Sequence, residues 1–556
     1  MSNNSNMHSN NASDSFQADN QNKNAHEKQK YIQDIAIKYI PLILTSKVYD
    51  IAVETPLEQA KQLSAKLNNN VYFKREDLQP VFSFKIRGAY NKIAHLTQSE
   101  MECGIIAASA GNHAQGVAIG AAKLAINAYI VMPITTPQLK VDAVKRFGKE
   151  FVTVVLHGES YSESYQHALE LQKQHNLIFI HPFDDPYVIA GQGTIAMEIN
   201  KQFAQITHQR DDNHRPVLTP KIDAIFIGIG GGGLISGIAA YIKAISPHIK
   251  IIGVQTVDSN AMQQSIQAGK NITLKDVGLF ADGTAVKKVG DLTLNISKYL
   301  IDEIITVNTD EICAAIKDVF EDTRGILEPS GALAVAGIKK YVKKYNCQNK
   351  NLISVNCGAN INFDRLAFVA ERAQIGEAKE AIFAISIPEE RGSFRSFCSL
   401  LGHHHITEFN YRYAGEDKEA HIFVGIQVQN VEDIELLEIS FKQANLTAIN
   451  LTHDELAKLH IRHMVGGRAD AEHEKILHFV FPERPGALMK FLLNMQPNWN
   501  ISLFHYRNHG ADYARVLVGM QVSPQDTEKL NQFLYNIDYP YTDETEHPAY
   551  KLFLKK

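Results

Sequence analysis

Cysteine, basic charge and long apolar runs are all in short supply in this chain, and each shortage excludes something. Five cysteines (Cys103, Cys313, Cys347, Cys357 and Cys398) are scattered over 556 residues without a C-x-x-C pair. An odd, dispersed set argues against a disulfide frame or a cysteine zinc site and suits the reducing cytoplasm, where we expect the chain to work. No apolar run approaches the ~20 residues that cross a bilayer, so no membrane segment is expected. The net charge is −5, with 45% hydrophobic and 21% charged residues, so neither nucleic acid nor an anionic membrane is an expected partner. Arginine is missing until Arg75. The stretch 1–30, rich in Asn, Ser and Gln, therefore lacks both the arginines of a transit peptide and the apolar core of a secretory signal, and reads as a disordered polar tail.

What is there begins with an amphipathic helical pattern from Tyr31 to Tyr49, interrupted at Pro41. Short apolar runs then alternate with helical patterns. Gly104–Ala108, Ala128–Met132, Phe151–Val155, Leu177–Ile180, Ala224–Ile227, Ile249–Val254 and Asn351–Asn356 are the strand candidates. Strand, helix, strand at this spacing predicts a parallel α/β sheet. Residues 206–220 break the rhythm and read as a surface loop. After about Gly376 the pattern changes to a duplicated strand-helix-strand-strand unit. Ala381–Ile387 is repeated by Ile476–Phe481, Phe409-Asn410-Tyr411-Arg412 by Phe504-His505-Tyr506-Arg507, and Phe423–Val428 by Leu517–Val522. All three blocks keep register to within one residue, which chance explains poorly. The expected division is an α/β domain over 31–376 and two related subdomains over 380–470 and 474–556.

Four local features carry chemistry. Lys85, in Ser83-Phe84-Lys85-Ile86-Arg87-Gly88, sits where a helix begins, and the positive field there favours a neutral, nucleophilic amine. Gly228-Ile229-Gly230-Gly231-Gly232-Gly233 leaves a strand and enters a helix, so its amides can converge on an anion. The spacing also fits a dinucleotide fingerprint, but the following strand ends at Val254-Gln255 without the acid that would hold a ribose hydroxyl. Ser109-Ala110-Gly111-Asn112-His113 is a second strand-to-helix turn, able to hold a carboxylate or simply to cap its helix. Cys357 ends a strand in Cys357-Gly358-Ala359-Asn360. Adjacent His403, His404 and His405 do not share a helix face, and with His453 and His460 they read as polar positions; no metal site is expected.

Together with Glu328-Pro329-Ser330-Gly331-Ala332, these motifs resemble those of the pyridoxal-phosphate enzymes of the tryptophan-synthase-β type, and within them the threonine dehydratases. The duplicated tail is similar to the paired ACT-like regulatory region of the biosynthetic members. The resemblance covers residues 50–556 and implies the fold class: a fold type II α/β catalytic domain with parallel sheets, followed by an α+β regulatory region of two ACT-like repeats. It implies pyridoxal 5'-phosphate carried covalently on Lys85. Gly230, Gly231, Gly232, Gly233 and Leu234 would hold its phosphate, Asn112 its ring hydroxyl, and Cys357 would face its ring nitrogen where many biosynthetic members have serine. Ser109, Gly111, Asn112 and His113 would receive the substrate carboxylate. The implied reaction is deamination of L-threonine to 2-oxobutanoate and ammonia, with L-serine a further substrate, isoleucine an inhibitor and valine an activator. Phe409, Tyr411, Phe504 and Tyr506 mark the expected effector positions, and the resemblance implies a homotetramer. A nicotinamide oxidoreductase, resting on the glycine spacing, and a non-catalytic amino-acid sensor are the competing readings.

Overall fold

The computed structural model describes residues 29–207, 221–388, 397, 400–401, 404, 406–411, 419–463, 468, 471–482, 487–496, 499–507 and 513–555. The expected polar tail up to residue 28 and most of the expected 206–220 loop lie outside them. Two compact units are formed, one from Met1–Asn308 with Asp318–Ile361, the other from Thr309–Lys317 with Asn362–Lys556. Among the described residues no helix is long and apolar enough to cross a membrane.

In the first unit the strands are β1 (Leu57–Gln59), β2 (Asn70–Lys74), β3 (Ile105–Ala108), β4 (Ala128–Met132), β5 (Val152–Leu156), β6 (Ile178–Phe179), β7 (Ala224–Gly228), β8 (Lys250–Thr256), β9 (Glu303–Val307) and β10 (Asn351–Val355). They build two sheets, ordered β1-β2-β10-β7-β8-β9 and β5-β4-β3-β6. All pairs are parallel except β1 with β2. The sequence explains this. β3, β7 and β10 are buried along their whole length, as strands covered by helices on both faces must be. The helices that matter for function are α1 (Lys85–Ala94), α2 (Asn112–Leu124), α3 (Pro186–Thr207), α4 (Gly233–Ile245) and α5 (Pro329–Tyr345).

The N-terminal helical pattern runs on through Pro41 to residue 44 rather than breaking there. Proline removes one backbone hydrogen bond, but Ile35, Tyr39 and Ile43 bury themselves in the main core and offset that loss.

Beneath α1 lies a fully buried ionic quartet. Arg87 donates from Nε and Nη2 to both oxygens of Glu76, each at 2.8 Å, and from Nη1 to Glu198 at 2.6 Å. Lys74 Nζ donates to the other Glu198 oxygen at 2.6 Å. Two cations and two carboxylates, none more than 2% exposed, therefore neutralise one another. The quartet ties β2, α1 and α3 together.

In the second unit β11 (Glu380–Pro388), β12 (Ile406–Tyr411), β13 (Glu419–Gln427) and β14 (Thr447–Asn450) form one sheet, and β15 (Glu474–Pro482), β16 (Asn500–Arg507), β17 (Tyr513–Gln521) and β18 (Tyr541–Asp543) another. Their orders correspond strand for strand, β12-β13-β11-β14 and β16-β17-β15-β18. Each carries an irregularity at the corresponding place, between Ile406 and Glu408 and between Ile501 and Leu503. The repeated unit is longer than its sequence pattern shows, since a helix (Val431–Gln443 or Thr527–Ile537) and a fourth strand complete each copy.

Candidate functional site

Lys85 is the first residue of α1, and the amine donates to the Pro182 carbonyl at 3.0 Å. Desolvation lowers its pKa from the ordinary lysine value to about 8, with the neighbouring Cys357 and Glu328 acting in the opposite sense. Burial is the largest cause of this lowered basicity. The backbone around Lys85 is tightly held. A Cβ on Gly116 of α2 would stand 3.0 Å from the Lys85 carbonyl oxygen, and Phe84 N–H donates to the Cys357 carbonyl at 3.1 Å.

The segment that receives the amine is itself fixed by His181, whose Nδ1 accepts from the Phe183 and Asp184 amides at 3.2 and 2.7 Å. That ring nitrogen must stay unprotonated, and burial lowers the His181 pKa to about 4. Phe183 then packs against the glycine turn: a Cβ on Gly231 would fall 2.2 Å from its ring, and one on Gly233 3.0 Å from its Cα. Lys85 and the glycine turn are thus joined through Pro182 and Phe183.

The turn itself ends β7 and opens α4, whose first amides have no partner within the helix. Gly232 has φ +99°, a conformation that a side chain makes costly. The turn is anchored from outside, with Thr293 Oγ1 donating to the Gly231 carbonyl at 2.6 Å. Gly230 approaches Thr284, and Leu234 is buried at the start of α4.

Ser109, Gly111, Asn112 and His113 form the entry to α2. Ser109 Oγ accepts from the Gly111 amide at 3.2 Å, and a Cβ on Gly111 would meet nothing within 4 Å, so the turn faces open space. Asn112 Nδ2 donates to Glu328 Oε1 at 2.7 Å, while its Oδ1 accepts from Asn360 Nδ2 at 2.6 Å. His113 Nε2 contacts the Ile180 carbonyl at 2.8 Å and its buried Nδ1 has no partner. Burial, then the Lys85 charge, lowers its pKa to about 3, so the ring is neutral. Cys357 is buried at the end of β10, its thiol pointing at the Ser330 carbonyl at 3.4 Å, and burial pushes its pKa well up.

The structure thus brings Lys85, Asn112, the glycine turn and Cys357 into one connected neighbourhood. It also adds residues to which the sequence pattern assigned no role: Glu328, Asn360, Thr284 and the His181–Phe183 segment. Glu328 was visible within its motif, and the Pro329 that follows fixes it at the helix start, but nothing local reveals which residue its carboxylate meets. Phe409 and Tyr411 on β12 pair by register with Val424 and Ile422, and Phe504 and Tyr506 on β16 with Val518 and Val516. The side chains of all four lie outside the described residues, as do His403 and His405. His404 Nδ1 contacts the Gln427 carbonyl at 3.1 Å, and His453 is exposed. His460 departs from its expected polar setting. It is buried, with Nε2 3.2 Å from Nε2 of His478, because the chain turns inward after the short helix Glu455–Leu459.

These donors suit one kind of group, a phosphorylated aromatic aldehyde. The amine can condense with the aldehyde, and the unpaired amides of a helix N-terminus can hold the phosphate. The orphaned Ser83 Oγ and His113 Nδ1 are buried polar atoms awaiting a partner. A nicotinamide dinucleotide would leave the amine unused.

Residues 48–358 match the family of pyridoxal-phosphate dependent enzymes. Residues 371–461 and 465–554 each match the C-terminal regulatory domain of threonine dehydratase. The chain is 57% identical over 517 residues to the L-threonine dehydratase biosynthetic IlvA of Burkholderia multivorans, covering 93% of this chain and 99% of that one. It is 50% identical over 519 residues to the protein of the same name from Pasteurella multocida, covering 93% and 97%. Among solved structures it resembles the processed form of threonine deaminase isoform 2 from Solanum lycopersicum, with a TM-score of 0.57 and 47% identity over 62% of this chain and 89% of that one.

Proposed function

The chain belongs to the pyridoxal-phosphate dependent enzymes, in the group that carries the threonine dehydratase regulatory domain, and from that premise we propose that it converts L-threonine to 2-oxobutanoate and ammonia. The observation that carries this reading is Lys85, an amine of lowered basicity joined through Pro182 and Phe183 to an amide-lined glycine turn.

When bound, the cofactor supplies an electrophilic aldehyde and an electron-withdrawing ring that stabilises negative charge at the substrate α-carbon. The chain does the rest. With its pKa near 8, about a tenth of the Lys85 amine is neutral at pH 7, enough to act as nucleophile and then as the base that takes the α-proton. The amides of Gly230, Gly231, Gly232, Gly233 and Leu234 would hold the phosphate. One Asn112 amide hydrogen is committed to Glu328, which leaves the other for the ring hydroxyl. Ser109 accepts the Gly111 amide and so keeps its own hydrogen to donate to the substrate carboxylate, alongside the amides of Gly111, Asn112 and His113. Cys357, kept neutral by burial, would partner the ring nitrogen without enforcing its protonation, which would favour early loss of the β-hydroxyl. Water lost at that step is returned when the product hydrolyses, so threonine yields 2-oxobutanoate and ammonia with no other reactant. L-Serine reacts in the same way.

Residues 31–376 form the catalytic domain in this reading, and 380–470 and 474–556 the two regulatory subdomains of a cytoplasmic homotetramer. Isoleucine binds near Phe409 and Tyr411 or near Phe504 and Tyr506 and inhibits, while valine opposes it by preferring the active state. The test is turnover of threonine and serine with and without isoleucine, beside borohydride reduction and peptide mapping. Reduced cofactor on Lys85 and isoleucine-sensitive 2-oxobutanoate release are expected; reduction at another residue would overturn the assignment.

A further inference from the structure

Glu328 is 4% exposed, and its carboxylate lies in a slot floored by glycine: a Cβ on Gly358 would fall 2.4 Å from Oε1, and one on Gly283 3.5 Å. Its backbone opens α5 with an extended φ of −67° and ψ of 157°, and its side chain makes no capping bond there. The carboxylate is therefore not spent on the helix. It is turned instead toward α2, where Oε1 meets Asn112 Nδ2 at 2.7 Å across 216 residues of sequence.

Asn112 is gripped from both ends. Asn360 Nδ2 donates to the Val81 carbonyl at 2.9 Å and to Asn112 Oδ1 at 2.6 Å. A carboxylate accepts only, so the Asn112 end that meets it must be the NH2. Flipping the Asn112 amide would set oxygen against the Glu328 oxygen and NH2 against the Asn360 NH2, losing both bonds. Glu328 also acts on Lys85 electrostatically. The other titratable groups in reach of Lys85 are Cys357 from the end of β10, His113 on α2 and His181 before α3. Burial keeps the thiol protonated and both histidines neutral at pH 7. Among the described residues this leaves Glu328 as the charged neighbour.

We propose that Glu328 is a positioning residue of the reaction centre, whose carboxylate fixes which way the Asn112 amide faces and supplies the negative charge felt by the Lys85 amine. The proposal rests on the reading of Lys85 and Asn112 as cofactor residues, and deepens it. Without that charge the buried amine loses part of its electrostatic support and becomes still less basic. Without the carboxylate, Asn360 alone holds the Asn112 amide, and the NH2 that the ring hydroxyl needs as a donor is less firmly directed.

The test uses the full-length protein. In the apo form, the pH dependence of Lys85 acetylation, read by peptide mass, gives the titration midpoint of the amine. Equilibrium dialysis gives the affinity for pyridoxal phosphate. Glu328→Gln, nearly the same shape, is expected to lower the midpoint by about half a pH unit or more and to weaken cofactor binding about fivefold or more. Glu328→Asp restores the charge but not the reach, so it recovers the midpoint and not the affinity. Asn360→Ala releases the far end of Asn112, so it weakens cofactor binding and leaves the midpoint in place. A Glu328→Gln protein that titrates and binds cofactor as the wild type does would overturn the proposal. So would a variant that only melts earlier, with an unmoved midpoint, because that is a structural residue's signature. Failure of the underlying reading shows separately, as borohydride-reduced cofactor on a residue other than Lys85 in the unmodified protein.

Discussion

Replacing Arg87 by leucine keeps bulk under α1 but removes one of two cations that face two buried carboxylates. Glu76 then keeps only Thr55 Oγ1 at 2.5 Å and Gln79 Nε2 at 3.2 Å, and Glu198 shares Lys74 and Tyr49. Breaking a buried pair from one side costs about 3–5 kcal/mol, because the stranded charge cannot return to water. The cost should depend on pH, with a definite sign. In the intact protein Arg87 holds the Glu76 carboxyl below its usual range although desolvation pushes the other way. Its stabilisation is present above the unfolded pKa near ~4.3 and fades as pH falls through the lower folded value. Without Arg87, desolvation wins and the folded pKa rises above the unfolded one. That carboxyl then destabilises increasingly as pH rises past ~4.3, by up to ~1.4 kcal/mol per pH unit until the new folded pKa is passed. Hydrogen exchange of peptides from β2, α1 and α3, compared with wild type at each pH, reads this locally. The expected acceleration at pH 8 is roughly 10²-fold to 5 × 10³-fold, contracting clearly at pH 5, and Glu76→Gln added to Arg87→Leu should recover part of it. Acceleration below about tenfold at pH 8, or equal acceleration at both pH values, would refute the reasoning.

Gly232→Ala would place a methyl 2.7 Å from Met262 Cε and 2.8 Å from Thr293 Cβ at a backbone φ of +99°; it should cost about 1–3 kcal/mol and weaken cofactor binding in dialysis. Iodoacetamide at pH 8 should modify Cys103 well before Cys313 and Cys357, which are buried and whose thiols burial pushes up; tryptic mapping of the native protein decides, and early labelling of Cys357 would count against a closed site. Burial lowers His113 to about 3 and His181 to about 4, so the unfolded chain takes up protons first and stability falls as pH drops from ~6.5 toward 4. Exchange of the 180–184 amides should quicken over that window, and His181→Gln should remove its share of the effect.

The parts of the site that were legible in the sequence are those whose chemistry is local. A lysine before a helix, a glycine run between strand and helix, and a cysteine closing a strand each announce themselves within ten residues. Continuous Ile, Val and Ala runs likewise marked the parallel strands, since burial on both faces leaves no alternation to read. The duplicated tail was legible because two copies corroborate one another. The roles of Glu328 and Asn360 were not, because they lie in meeting Asn112, 216 and 248 positions away. The ionic quartet was hidden for the same reason: Lys74, Glu76, Arg87 and Glu198 look like ordinary surface charges until the fold closes over them. Pro41 misled because tertiary burial outweighed a local rule.

The paired irregularities in β12 and β16 have a consequence for variation in the regulatory half. Thr407 and Ser502 are the extra residues, each unmatched across from the neighbouring strand. Side chains in a strand alternate between faces, so one surplus residue resets that alternation for everything beyond it. Each acts like a comma in a sentence, slight in itself but able to reverse the sense of the later words if struck out. Deleting Thr407 or Ser502 alone should scramble the sheet more than substituting any single neighbour. Because the comma stands at the same place in both copies, a tolerated loss in one would leave the two regulatory sheets unlike one another in register.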